Sequence, residues 1–159
     1  MRKMIAALML CLAAALPAQA QEVVGYVGQV PMLKLPEGNH PDIEALASKL
    51  WKAYWRGAGE HGFGPADLRV GRFDLDADGI AELFLMIDRD EWLSDHGKPL
   101  VVASWHKKAW VPVGWSWSDE DAVFVTQDRK DGWFGLDTGK HLMAWNAKKG
   151  YLLTEKPAP

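Results

Sequence analysis

The sequence predicts an α+β domain, with one N-terminal helix packed on a mostly antiparallel sheet of about six to eight strands. Two observations predict it. Ile43, Leu46, Ala47, Leu50, Tyr54 and Trp55 recur at helical spacing on one face. From Pro99 onward the pattern changes to short runs of alternating apolar and polar residues, separated by lysine, aspartate and glycine. That is the period of half-buried strands joined by turns.

The chain opens on what reads as a signal peptide, residues 1–20. Arg2 and Lys3 form a basic start, and residues 4–16 form an apolar run too short for a membrane span. Ala18-Gln19-Ala20 fits a cleavage site, so the mature chain is expected to start at Gln21 and to be periplasmic or secreted in a bacterium. Leu10, rather than a small residue, precedes Cys11, which argues against a lipoprotein. Cleavage would leave 139 of the 159 residues, the length of one domain. It would also remove Cys11, the only cysteine, so neither disulfides nor thiolate metal sites are expected. Losing Arg2 and Lys3 from the 18 basic residues leaves 16 against 21 acidic ones, a formal charge of −5. A mildly acidic domain is a poor partner for nucleic acid or anionic lipid. No second apolar run reaches membrane length.

Residues 21–40 read as an N-terminal strand and loop segment, and residues 41–155 as the single α+β domain. A short strand is expected at 23–27, after which Pro31, Pro36 and Gly38 interrupt regular structure. The helix is expected over 41–56. Pro41 suits its first turn, and Asp42 and Glu44 complement the positive end of its dipole, with Lys52 and Arg56 at the other end. Gly57 and Gly59 stop it. Residues 60–65 form a glycine-rich connection in which Glu60 and His61 read as solvated. Strands are expected at 68–73 and 83–87, followed by a polar loop or short helical turn over 88–97. Strands then follow at 101–106, 110–117, 122–126, 132–136, 141–145 and 151–154. Lys107-Lys108, residues 119–121, residues 127–131, Thr138-Gly139 and residues 148–150 connect them. Residues 156–159 read as a tail. Residues 103–110 echo residues 144–151, which reads as two similar hairpins with paired-lysine turns.

Between the first two strands of the domain lies Asp74-Leu75-Asp76-Ala77-Asp78-Gly79-Ile80-Ala81-Glu82. Carboxylates fall at its first, third, fifth and ninth positions, with glycine at the sixth. Calcium takes oxygen ligands, and loops of this spacing supply them. Glycine admits the sharp turn because it reaches positive φ without steric cost. The standard EF-hand wants a bidentate glutamate at the twelfth position, which here is Leu85. The loop instead resembles the calcium-binding hairpins of FG-GAP and VCBS-type repeats, found in integrin α-chain propellers. That resemblance covers the loop and its flanking strands only. It implies calcium as the bound ion, with ligand roles for Asp74, Asp76, Asp78, Ile80 through its carbonyl, and Glu82. The chain as a whole looks like small exported bacterial proteins that carry an Asp-rich calcium loop and later Gly-Trp strands.

Catalytic signatures are missing: there is no nucleophile elbow, no H-E-x-x-H and no phosphate-cradling glycine loop. The five histidines stand at 40, 61, 96, 106 and 141, without metal-ligand spacing. Nine tryptophans are present. Trp51, Trp55, Trp115 and Trp117 read as core, and Trp92 and Trp110 as surface candidates. The leading reading is an exported, calcium-binding, non-catalytic module that binds a protein or envelope component. The alternatives are an inhibitor or immunity-type protein against a cell-wall enzyme, and a carbohydrate-binding or hydrolytic protein that uses exposed tryptophans and carboxylates.

Overall fold

The computed structural model describes residues 24–93, 95–119 and 121–154. The signal peptide expected at 1–20 and the tail expected at 156–159 lie outside the described residues. In chain order the elements are β1 (Tyr26–Pro31), β2 (Leu33–Lys34), α1 (Pro41–Leu50), β3 (Leu68–Phe73), β4 (Glu82–Ile87) and β5 (Lys98–His106). Then come β6 (Ala109–Ser118), β7 (Ala122–Lys130), β8 (Trp133–Asp137), β9 (Leu142–Asn146) and β10 (Gly150–Thr154). Short 3₁₀ turns cover Gly59–His61, Pro65–Asp67 and Asp90–Trp92.

The class is α+β, as the sequence predicts, but the ten strands form two antiparallel sheets of five instead of one sheet. The first sheet runs β2-β3-β4-β5-β6 and the second runs β1-β7-β8-β9-β10. Alternation reveals a strand but not which of two sheets it joins. The chain changes sheets at Pro31–Leu33, where the Met32 N–H donates to the Asp121 carbonyl at 2.8 Å.

Strand β4 explains the layering. All six of its residues are buried. Leu83, Leu85 and Ile87 point to one face, where they pack with Ile43, Leu46 and Ala47 of α1. Phe84 and Met86 point to the other, among Val30, Val123, Val125, Leu136 and Met143 of the second sheet. The first sheet is therefore the middle of three layers, which gives β4 a continuous apolar run rather than alternation. At one margin β10 lies directly against β6. A Cβ on Gly150, which sits at φ +77°, would fall 2.2 Å from the Val113 carbonyl oxygen, so only glycine fits there.

Helix α1 ends at Leu50, six residues before the expected end at Arg56. The Trp51 N–H still bonds the Ala47 carbonyl at 3.0 Å, but the chain then coils through turns. Aromatic packing wins over helical propensity here. The rings of Trp51, Trp55 and Trp92 meet Phe63 edge-on, with centroids 5.7, 5.6 and 5.0 Å away. Main-chain bonds from Arg56 to Phe63 and from Phe63 to Tyr54 fix the return. The turn expected at 127–131 is also shorter than anticipated. Strand β7 continues to Lys130 through a register shift between Val125 and Arg129, and Asp131-Gly132 makes the turn with positive φ at both residues.

A charge network ties the first sheet to its neighbours. Asp88 accepts from Arg69 Nε at 2.5 Å and also pairs with Lys98, while Arg69 reaches Asp121 at 2.8 Å. Burial acts to raise the Asp88 pKa, but the Lys98 and Arg69 bonds outweigh it and hold it below the ordinary carboxylate value. A depressed native pKa stabilises the fold above the unfolded value and stops doing so as pH falls through the native one. Asp88→Asn should therefore cost about 2 kcal/mol at pH 7 and much less below about pH 3, as read by urea denaturation at both values. Phe84→Ala should cost about 3–5 kcal/mol in the same assay, because its cavity lies between two sheets that cannot readily close on it.

Candidate functional site

The nine-residue loop joins β3 to β4, two neighbouring strands of the middle sheet. Its second residue, Leu75, is fully buried in the core between the sheets. The Leu75 carbonyl accepts from the Phe134 N–H of β8 at 2.9 Å, and the Phe134 carbonyl accepts from the Tyr151 hydroxyl at 2.6 Å. The loop is thus anchored to the second sheet as well as the first.

Around that anchor the three aspartates converge. One carboxylate oxygen from each of Asp74, Asp76 and Asp78 lies within 4.8 Å of the others. Two oxygens on one calcium ion, each at about 2.4 Å, can stand at most about 4.8 Å apart, so the cluster has the dimensions for a shared cation. Main-chain amides meanwhile orient the side chains. Asp74 accepts from the N–H groups of Asp78 and Gly79, at 3.2 and 3.0 Å. Asp76 accepts from Asp78 at 3.1 Å, and Asp78 from Ile80 at 2.7 Å. Positive φ at Ala77 (64°) and Gly79 (89°) gives the loop its tight path.

Glu82 is placed differently from the aspartates. It is 1% exposed, and its Oε2 accepts the Leu75 N–H at 2.8 Å across the base of the loop. The close three-carboxylate group does not include it. The side chain of Ile80 is exposed. Burial and crowded negative charge together show in the titration of the group. Burial raises the Asp76 pKa, and the charges of Asp78 and Asp74 add to the rise. Burial, opposed by the Leu75 amide and reinforced by the Asp76 charge, pushes Glu82 up to about 7. Burial and then the charges of Glu82 and Asp76 also raise the Tyr151 phenol. A divalent cation among these oxygens would offset the like-charge repulsion that adds to the effect of burial.

Beside the loop, on the helix-covered face of the middle sheet, lies a cleft of about 440 Å³. It is lined by Asp42, Arg72, Gly79, Ile80, Ala81, Trp105 and Trp110. Trp105 and Trp110 are direct partners across the β5–β6 hairpin, their rings 5.0 Å apart. The Trp110 indole N–H donates to Asp42 Oδ2 at 2.8 Å, and the Arg72 guanidinium sits over the Trp110 ring at 5.0 Å. Burial acts to raise the Asp42 pKa, but the indole bond, nearby main-chain N–H groups and Arg72 bring it below the ordinary value, so it is a carboxylate at neutral pH.

This arrangement corrects two expectations about the tryptophans. Trp110, expected at the surface, is buried at 8% exposure, and Trp115, expected in the core, is 46% exposed. The cause is a register shift in β6, where Val102 pairs with Gly114 but Ala103 pairs with Pro112. The extra residue, Val113, reverses the alternation, so Trp110 and Trp115 both face the helix layer. Trp110 lies under α1, while Trp115 reaches only the edge of Trp51, at 6.0 Å. Trp92 is partly buried in the Phe63 cluster.

A Ser–His contact also went unread in the sequence, because its partners are 25 positions apart. Ser116 Oγ lies 3.3 Å from His141 Nδ1 and 3.3 Å from Thr138 Oγ1. At 3% exposure the hydroxyl is closed off from a substrate, and its geometry ties β6 to the β8–β9 turn. Among the described residues no helix is long and apolar enough to cross a membrane. No protein-family model matches the chain, and comparisons with curated proteins and with solved structures find no match.

Proposed function

We propose that this chain is an exported, non-catalytic module that binds calcium through the loop at residues 74–82 and presents a surface to a protein or envelope partner. The observation that carries the reading is the convergence of the Asp74, Asp76 and Asp78 oxygens within 4.8 Å in one short loop. Calcium is a hard cation that prefers such oxygens. The Ile80 carbonyl and Glu82 are the remaining proposed ligands; Glu82 would have to exchange its hold on the Leu75 amide for the ion or act through a water. Export rests on the residue pattern of 1–20, and calcium is plentiful outside the cytosol.

In this reading the ion is a cross-link for a domain that has no cysteine after residue 11. A ligand that binds only the native state stabilises it by mass action. Thermal unfolding should move up by about 4–10 °C on going from excess chelator to millimolar calcium. Asp76→Ala should abolish that increment while leaving the chelated midpoint within about 2 °C of the parent, since it also removes like-charge repulsion. An unchanged midpoint on adding calcium rejects a stabilising site.

A further inference from the structure

We infer that the cleft between residues 79–81 and the Trp105–Trp110 pair binds one ring of a neutral saccharide. The inference goes beyond calcium binding and stands without it. Arg72 is on β3, Trp105 on β5, Trp110 on β6 and Asp42 on α1, so strands and helix hold the polar and aromatic groups. Only residues 79–81 come from the loop.

Three features select the ligand. Trp105 is 36% exposed at the rim, while Trp110, beneath it, is fixed by its bond to Asp42. Trp105, packed edge-on against the fixed Trp110 ring, presents an exposed apolar plate at that rim, and the C–H face of a pyranose is the apolar side of an otherwise polar molecule. Next to the plate stands Arg72, an exposed residue whose side chain makes no hydrogen bond or close ion pair among the described residues; its guanidinium lies over the Trp110 ring, and its charge acts on Asp42. Its five N–H donors are therefore available to hydroxyl oxygens. Asp42 is the complementary group. A carboxylate has about four lone-pair sites, so the indole bond leaves it able to accept from a hydroxyl. Sugar hydroxyls donate and accept at once, and a planar cation and a planar anion flanking an aromatic plate match that double character. One positive and one negative charge cancel within the lining, which disfavours a strongly charged ligand. The volume, about 440 Å³, lies in the range of small-molecule sites.

The test uses cellohexaose, chitohexaose and maltohexaose as probes, with oligogalacturonate as the anionic comparator. Binding is followed by tryptophan fluorescence and by the indole ¹H–¹⁵N signals. At least one neutral probe should give saturable binding with Kd at or below about 1 mM and shift the Trp105 indole signal. Trp105→Ala and Arg72→Gln should each weaken it about tenfold or more. Trp115→Ala should leave it unchanged, because that exposed ring lies outside the cleft. Circular dichroism confirms that each variant is folded, and Arg72→Gln keeps the test decisive if Trp105→Ala is not. The inference is overturned if no neutral probe binds below roughly 10 mM, if binding survives both cleft substitutions, or if only the anionic probe binds.

Discussion

The fold depends on one constraint: β4 must hide both faces at once. Every residue of that strand is buried, with Leu83, Leu85 and Ile87 toward the helix and Phe84 and Met86 toward the second sheet. A strand of this kind demands cover on both sides, and α1 and the second sheet are that cover. Burying a large apolar side chain contributes about 1.5–3 kcal/mol, so β4 with its partners is a major source of stability. The exposed connections are then free to carry polar chemistry.

The loop inherits its shape from that arrangement. Its far end is Glu82, the first residue of β4, drawn inward with the strand. Near its start Leu75 is drawn into the core and bonded to β8. With both ends pinned, the intervening residues have a short path, and the aspartates at alternate positions turn to a common side. The raised pKa values of Asp76 and Glu82, set first by burial and then by neighbouring carboxylates, are the electrostatic consequence. The cleft at Trp105 is a second consequence. Helix α1 covers Leu83 and Leu85, and beside Asp42 in its first turn Arg72 and Trp105 remain exposed.

Much of this was legible in the sequence because it is local. The strands at 68–73 and 83–87, the turn at Lys107-Lys108 and the acidic loop follow from neighbouring residues, and they stand close to where the pattern put them. What escaped depends on partners distant in the chain. Nothing near Leu50 announces that Phe63 will gather Trp51 and Trp55 and end the helix early. Simple alternation through β6 assigned Trp110 to the surface and Trp115 to the core, since one inserted residue at Val113 reverses every side chain on one side of it. The division into two sheets was hidden for a similar reason: Met32, where the chain crosses, looks like any loop residue between Pro31 and Pro36. The cleft joins residues from a helix, three strands and a loop, a juxtaposition that no local spacing encodes.

We propose that the three aspartates share a single calcium ion. Isothermal titration of the chelator-treated protein with calcium measures this directly. One equivalent should bind, and Asp76→Ala should bind none. The absence of saturable binding to the parent protein at calcium concentrations up to about 5 mM would contradict it, since extracellular calcium modules bind at about 0.1–1 mM or tighter.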